Sequence, residues 1–318
     1  MTKRIAKLIL AAFMVASLAG VASAKTFLSI ATGGTSGTYY PLGGAIAQAV
    51  NKGAPDLQVT AETGNASVAN LNLIGAHDIE IAFAQNDTAY WAYNGKMMFK
   101  TPIKNVRVIA ALYPEHVHLI TLKNSNVKNI QDLKGKRVSV GAPGSGVEAD
   151  VRAIFQTVGL KYSDMKTDFL DFGTTTQRFK DNQLDAGFVV AGYPVSSIMD
   201  LATTKEINLV SFDDATLGKL TKDFPYFVKS SIPANTYKGV TSAVKTPAVM
   251  ALLVVDEKVP ADVVYKFTKA LWENIDVVHK AHAKGKEITL KTALNGVTVP
   301  LHPGAAKYYQ EKGMKLPK

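Results

Sequence analysis

The stretch FLSIATGGTSGTYYP, residues 27–41, joins a short apolar run to a helix through a loop of glycines and hydroxyls. The apolar run is typical of a buried strand, and apolar residues recur at helical spacing behind the loop: Leu42, Ala45, Ile46, Ala49 and Val50. Backbone N–H groups at a helix N-terminus lack intrahelical partners and carry partial positive charge. The stretch therefore predicts a strand–loop–helix unit whose loop can bind an anion.

A second unit of the same plan lies later in the chain. Residues 137–141 read as a strand, residues 142–146 form another glycine loop, and a helix with one apolar face follows. Ser145 follows Ser36 by 109 residues, and Thr174 follows Asn65 by the same distance. Alternating strands and helices favour an α/β fold with two open, mainly parallel sheets covered by helices.

The halves are predicted to be joined twice. Residues 112–119 link them, and the extended run at residues 248–255 precedes a long amphipathic helix over residues 264–278. This tail lacks a strand–loop–helix unit of its own, so we expect it to return to the first lobe. Two connections between two lobes make a hinge, with a ligand cleft between the lobes. The predicted domains are lobe I, residues 25–113 and 241–318, and lobe II, residues 114–240.

Residues 1–24 carry the pattern of a signal peptide. A basic start precedes the apolar residues 8–18, and a small-x-small site ends at Ala24. The apolar run is shorter than the roughly 20 residues that span a bilayer. We therefore expect export and cleavage after Ala24. The chain has no Cys, and an exported protein without Cys fits the periplasm of a bacterial envelope.

Composition narrows the function classes. Hydrophobic residues make up 47% of the 318 residues and charged residues 19%, which excludes intrinsic disorder. The net charge is +10, but few of the 36 basic residues are Arg, so the case for a nucleic-acid partner is weak and we expect none. Without Cys, thiolate zinc sites and cysteine nucleophiles are excluded. The pairs His116/His118 and His279/His282 lack completing ligands, so we expect no metal and no cofactor.

Two enzyme-type loop motifs are excluded by spacing. The glycine loop at residues 141–146 lacks the Lys-Ser/Thr pair of a phosphate-binding loop. The GTSG loop at residues 34–37 lacks the Gly-x-Ser-x-Gly spacing of a nucleophile elbow. The glycines, hydroxyls and amides of these loops instead suit a small carboxylate held by backbone N–H groups and neutral side chains.

The same residues resemble a known family. Residues 30–44, IATGGTSGTYYPLGG, look like the opening signature of the TAXI-type solute-binding proteins of tripartite ATP-independent periplasmic (TRAP) transporters. The likeness continues through GNAS at 64–67, IAFAQND at 81–87, YPE at 113–115, GAPGSG at 141–146, NQLDA at 182–186, IPANTY at 232–237 and LHPGAAKYYQEKG at 301–313. Asn182 stands where the family often has Gly.

The resemblance implies a type II periplasmic-binding-protein fold that closes on glutamate or a related amino acid or dicarboxylate. It implies transient delivery to a TRAP-type membrane permease, no enzymatic activity, and most simply a monomer. The ligand-binding positions carried over are Gly33, Gly34, Ser36, Gly37, Thr38, Tyr39, Tyr40, Asn65, Ala66, Ser67, Gln85, Gly144, Ser145, Gly146, Thr174, Thr175 and Thr176.

Three alternatives stay open. A periplasmic subunit of the same fold could present a ligand to a membrane kinase. An exported enzyme could use the same cleft, and its base would come from Glu62, Asp87, Glu115, Glu148 or Asp171. A basic adhesion or nucleic-acid protein would instead bind polyanions with a steep salt dependence.

Overall fold

The computed structural model describes residues 25–317. The predicted signal peptide and its cleavage site after Ala24 lie outside the described residues and stay a prediction. Among the helices of residues 25–317, none combines the length and the apolarity that a membrane span requires.

The first part of the chain alternates strands and helices, as the sequence predicts. Its elements are β1 (Thr26–Ala31), α1 (Tyr39–Gly53), β2 (Leu57–Glu62), α2 (Ser67–Ala76), β3 (Ile81–Gln85) and α3 (Asn86–Asn94). Because β1 runs parallel to β2 and to β3, the carboxyl ends of these strands meet at one edge. The loops that lead into α1 and α2 therefore lie side by side at that edge.

A long strand then leads into the second part. The elements in this region are β4 (Val106–Leu122), β5 (Arg137–Ser139), α4 (Gly146–Val158), β6 (Lys166–Asp168), α5 (Phe172–Lys180), β7 (Ala186–Ala191), α6 (Ser196–Thr204), β8 (Ile207–Leu209), α7 (Asp214–Asp223) and β9 (Val228–Ile232). Strand β5 is parallel to both β6 and β7, so the plan of the first part is repeated.

The tail returns to the first part, as expected. It consists of β10 (Val244–Asp256), α8 (Ala261–Glu273), α9 (Ile275–Ala281) and α10 (Pro303–Glu311). Phe267 of α8 belongs to the same buried cluster as Leu42 of α1 and Phe83 of β3. The single helix predicted over residues 264–278 is wrong, because it is broken at Asn274, whose φ of −122° ends α8.

A strand and a turn were misplaced by the sequence pattern. Residues 169–172 read from the sequence as a strand and residues 173–176 as a polar turn. In the structure the strand lies earlier, at β6, and residues 173–176 are part of the first turns of α5. The reason is an N-cap, since the Asp171 carboxylate accepts a hydrogen bond from the Thr174 N–H at 2.9 Å. Asn182, which follows α5, adopts a φ of 55°, a conformation in which Gly is most at ease.

The two predicted sheets are one mixed sheet of ten strands. The order is β2-β1-β3-β10-β4-β7-β5-β6, with β8 beside β4 and β9 beside β10. Two long antiparallel strands cause the fusion. The first part of β4 pairs with β10 and its later part, from His116, pairs with β7, whereas residues 244–248 of β10 pair with β9.

The proposed lobe boundaries fall at these long strands. The boundary at residues 113/114 lies inside β4, and the boundary at 240/241 lies shortly before β10. We propose that the chain crosses between the lobes along these two strands, which then form the hinge.

Neighbouring glycines in α1 offer a test of this packing. A Cβ added at Gly43 would lie 2.5 Å from the Thr32 Cγ2 atom, whereas a Cβ at Gly44 would meet nothing within 4 Å. Thr32 cannot turn away easily because its hydroxyl donates to the Glu62 carbonyl at 2.6 Å. We expect Gly43→Ala to lower the free energy of unfolding by about 1–3 kcal/mol.

The matched variant Gly44→Ala should raise the free energy of unfolding by about 0.5–1 kcal/mol, since Ala is the better helix former. Urea denaturation of both variants measures the difference. Equal effects at the two positions would contradict the close packing of α1 on β1.

Candidate functional site

A cavity of about 310 Å³ lies where the two parts of the chain face each other. Its walls come from the loop after β1, the loop before α2, the end of β3, the middle of β4, the loops before α4 and α5, and the end of β7. Both glycine loops therefore face one cavity, as the repeat of the two units suggested.

Most of the residues selected from sequence line this cavity. They are Gly33, Gly34, Ser36, Gly37, Thr38, Tyr39, Asn65, Ala66, Ser67, Gln85, Ser145 and Gly146. Thr35 also lines the cavity and lies within the loop of residues 33–40 that sequence reasoning selected. The lining residues that were not selected as ligand contacts are Gly64, Glu115, Ala142, Val147, Asp171, Phe172, Gly173, Val190 and Ala191. Of these, Glu115 and Asp171 were considered as bases of an enzyme and not as ligand contacts.

Five selected residues are not among the lining residues. Tyr40 is 37% exposed on the second position of α1, and the Gly144 carbonyl accepts a hydrogen bond from the Ala69 N–H at 2.9 Å. Thr174, Thr175 and Thr176 bond within the second part of the chain, to Asp171, Ser139 and the Ser197 carbonyl. Their hydroxyls are therefore already hydrogen-bonded to other residues of the second part of the chain.

Four helices begin at the cavity wall. Their first residues are Tyr39 of α1, Ser67 of α2, Gly146 of α4 and Phe172 of α5. Ser145 and Asp171 cap α4 and α5, but α1 and α2 have no side-chain cap. Pro41 of α1 has no N–H, and the Ala69 N–H of α2 is bonded to the Gly144 carbonyl. The N–H groups without a partner among residues 25–317 are those of Tyr39, Tyr40, Ser67 and Val68, and they carry partial positive charge.

The turn before α2 carries a strained residue. Ala66 has φ 64° and ψ −151°, a region that almost only Gly occupies, and it lines the cavity. Such strain costs about 1–3 kcal/mol and is often found at ligand sites. Here it points the start of α2 at the cavity.

Hydrogen bonds hold the two parts together around the cavity. The Thr38 hydroxyl donates to the Gly192 carbonyl at 2.9 Å, and the Ser196 hydroxyl donates to the Ser36 carbonyl at 2.8 Å. On the far side, the Gln85 amide donates to Asp150 of α4 at 3.0 Å. Three hydrogen bonds therefore join the two parts of the chain beside the cavity.

The close approach of α4 to the end of β3 requires a glycine at the start of α4. A Cβ on Gly146 would lie 1.7 Å from the Gln85 Oε1 atom and 2.7 Å from the Ser67 Oγ atom. Gln85 is held in place by its bond to Asp150, so it cannot turn aside without losing that bond. Only a residue without a side chain lets α4 approach β3 this closely.

The ionisable groups of the cavity wall are acids and a tyrosine. No Lys, Arg or His belongs to the lining residues, all of which lie within residues 25–317. Glu115 is 2% exposed and accepts a hydrogen bond from the Tyr39 hydroxyl at 2.7 Å. Burial raises the pKa of Glu115 to about 8, with a further contribution from the charge of Asp87.

Two more buried carboxyls lie behind Gln85. Burial raises the pKa of Asp87 and of Asp150, and the carboxyls contact each other across the interface of α3 and α4. One oxygen of each, Asp87 Oδ2 and Asp150 Oδ1, is buried without a hydrogen-bond donor. A proton between the two carboxyls would give both oxygens a partner.

The His116/His118 pair is buried and hydrogen-bonded within the protein. Ser230 bonds the His116 ring and Tyr237 bonds the His118 ring, each at 2.9 Å. Burial lowers the pKa of His116 to about 3 and that of His118 to about 4, so both are neutral at physiological pH. Within residues 25–317 no group of three or more His, Asp and Glu side chains is arranged to hold a metal ion.

One protein-family model matches nearly the whole length of the chain. The model described as the NMT1-like family matches residues 30–313, from within β1 to just beyond α10. This chain belongs to the NMT1-like family.

Solved structures confirm the fold of this NMT1-like protein. A protein from Bordetella bronchiseptica RB50 is 18% identical, with 92% of this chain and 91% of the other covered and a TM-score of 0.55. The alkanesulfonate-binding protein SsuA of Xanthomonas axonopodis pv. citri, solved with MOPS, is 14% identical, with 90% and 84% covered and a TM-score of 0.50.

A third structure comes from work on glutathione import via GshT and the cystine ABC importer TcyBC of Streptococcus mutans. It is 12% identical, with 82% of this chain and 95% of the other covered and a TM-score of 0.51. At these identities the likeness shows the fold alone. The predicted two-lobed α/β fold of periplasmic binding proteins is thereby confirmed.

Replacing Gly146 tests the closed cleft of this NMT1-like protein. We expect Gly146→Ala to hold the lobes apart, because its Cβ would overlap Gln85, and to give a larger radius of gyration by small-angle X-ray scattering. Gly34→Ala is the control, since Gly34 lines the same cavity and its Cβ would meet nothing within 4 Å. Identical scattering from both variants would contradict the role of Gly146.

The buried Glu115 predicts a pH dependence of stability. Its pKa of about 8 in the folded protein lies above the value of about 4.3 in an unfolded chain, so only the folded state keeps this proton between those pH values. The contribution of Glu115 to stability therefore falls as pH rises from about 4.3 to about 8.

We expect Glu115→Gln to abolish this fall, so that between about pH 5 and pH 8 the wild type loses roughly 3 kcal/mol more than the variant. Urea denaturation at both pH values measures the difference. Glu62→Gln, at an exposed position outside the cavity, should behave like the wild type. Parallel losses in wild type and Glu115→Gln would show that Glu115 is ionised.

Proposed function

We propose that this NMT1-like protein is a solute-binding protein that captures a small carboxylate by closing its cleft. The arrangement of the uncapped N-termini of α1 and α2 at one cavity carries this proposal. Helix N-termini bind anions through backbone N–H groups, without a cationic side chain. The cavity of about 310 Å³ is at the lower end of the size range of small-molecule sites.

Glutamate or a related amino acid or dicarboxylate is the proposed ligand class. Hydroxyl and amide groups from Ser36, Asn65 and Ser67 surround the helix N-termini and can orient such a molecule. The exposed carboxylate of Asp171 lies in the wall contributed by α5 and can accept a hydrogen bond from an amino group. An amino acid would thus find donors on lobe I and an acceptor on lobe II.

The proposed type of transporter rests on the sequence motifs that resemble TAXI-type proteins. We propose a TAXI-type protein that is exported to the periplasm, cleaved after Ala24, and passes its ligand as a monomer to a TRAP-type permease. Two of the motifs that resemble TAXI proteins, at residues 30–44 and 64–67, form the first wall of the cavity. The similarity to the ABC importer proteins named above rests on fold alone and leaves the choice of permease to experiment.

An enzymatic role has little support from the arrangement of the five carboxyls considered. Glu115 and Asp171 line the cavity, but Asp87 is buried behind it, and Glu62 and Glu148 are not among the lining residues. Asp171 is used as the N-cap of α5, and Tyr39 donates to Glu115. The hydroxyl bonded to Asp171 is that of Thr174, which is not among the lining residues, and the hydroxyl bonded to Glu115 is the phenol of Tyr39.

Thermal unfolding of residues 25–318, refolded to remove any bound ligand, tests the proposal. The panel contains L-glutamate, L-glutamine, 2-oxoglutarate, succinate, sugars and nucleotides. A ligand at about a thousandfold over its Kd adds roughly 4 kcal/mol, which raises Tm by several degrees. We expect such a shift with one of the acids and none with sugars or nucleotides.

Two variants on the same loop sharpen this experiment. Ser36 lines the cavity and Tyr40 does not. Ser36→Ala should lower the affinity for the acid by about fivefold to tenfold, because one hydrogen bond is lost. Tyr40→Ala should bind the acid with the affinity of the wild type. A shift with nucleotides or sugars alone, or equal losses in both variants, would contradict the proposed site.

A further inference from the structure

We propose that Glu115 binds the ligand as a neutral carboxylic acid and donates a hydrogen bond to the ligand's carboxylate. This inference rests on the proposed function, because it assumes an anionic ligand in the cavity. It assigns a proton to the bound complex and makes Glu115 a residue that selects for anions.

The hydrogen-bond geometry of Glu115 leaves one oxygen for the ligand. The Tyr39 hydroxyl donates to Oε2 at 2.7 Å, so Oε2 acts as an acceptor. Glu115 lines the cavity although it is only 2% exposed, and Oε1 has no hydrogen-bond partner in residues 25–317. A proton on Oε1 would turn this oxygen into a donor that faces the ligand space.

Burial and a neighbouring carboxylate disfavour the ionised form of Glu115 and outweigh the hydrogen bond from Tyr39. Burial raises the pKa of Glu115 and the charge of Asp87 on α3 raises it further, whereas the hydrogen bond that Tyr39 donates from α1 lowers it. Tyr113 on β4 and Asp150 on α4 also lie near Glu115. Asp171 shares the same cavity, and no Lys, Arg or His lines it. A neutral Glu115 would avoid charge repulsion with an anionic ligand in this cavity.

A carboxylate ligand would couple its binding to this proton. The ligand's negative charge penalises ionised Glu115 further, so its pKa rises when the ligand binds. By linkage, affinity then falls as pH rises above the pKa of the unliganded site, by up to about tenfold per pH unit. If an ionised Glu115 instead bound the ligand's ammonium group, affinity would rise with pH.

Isothermal titration of the refolded protein with L-glutamate, 2-oxoglutarate and succinate between about pH 6 and about pH 9 tests the inference. We expect the wild type to lose affinity above about pH 8, by up to tenfold per pH unit. Glu115→Gln keeps a neutral donor in the same place. It should bind within about threefold of the wild type at pH 7 and show no such loss.

Glu62→Gln is the matched control, because it is the same substitution on an exposed side chain outside the cavity. It should keep the pH dependence of the wild type. Affinity that rises with pH, or a loss of more than about tenfold in Glu115→Gln at pH 7, would overturn the inference while leaving a ligand site in place. Failure of every acid to bind at any pH would overturn the proposed function together with this inference.

Infrared spectroscopy of the unliganded protein tests the protonation directly. The C=O stretching band of a protonated carboxylic acid should be present in the wild type at pH 7 and weaker in Glu115→Gln, the remainder coming from Asp87 and Asp150. Identical bands in the two proteins would overturn the neutral state of Glu115.

Discussion

The antiparallel pairing of β4 with β10 is the constraint on which the rest of the structure depends. These strands belong to both parts of the chain, so they join two repeated units into one sheet and set how the units face each other. Glu115 on β4 pairs with Val249 of β10, and the segment of β4 that pairs with β7 begins at the next residue, His116. Glu115 therefore lines the cavity from one of the two strands that we propose as the hinge.

The fold was largely predictable because its signals are local. The glycine loops, the apolar strands before them and the helical spacing after them lie within single units, and the offset of 109 residues showed the repeat. The fusion of the two sheets was not predictable, since it depends on pairing between β4 and β10, more than one hundred residues apart. The break at Asn274 was also missed, because the apolar stripe continues across it.

The parts of the candidate site that are formed by local backbone loops could be predicted from the sequence. The parts that depend on burial by distant elements could not. Glycine and hydroxyl loops at helix starts indicated the part of the cavity wall that we propose binds an anion. Glu115 carried no such signal, since its role depends on burial and on Tyr39 from another element. Thr175 and Thr176 misled for the opposite reason, because helix-start hydroxyls that look available from sequence are bonded inside their own lobe.

A crystal structure of the refolded protein with the acid that most raises Tm would test the central claim most directly. We expect one molecule in the cavity, with a carboxylate at the N-termini of α1 and α2 and one of its oxygens within hydrogen-bond distance of Glu115 Oε1. A ligand bound outside the cavity, or bound with its ammonium group against Glu115, would contradict the assignment of this cleft as a carboxylate site.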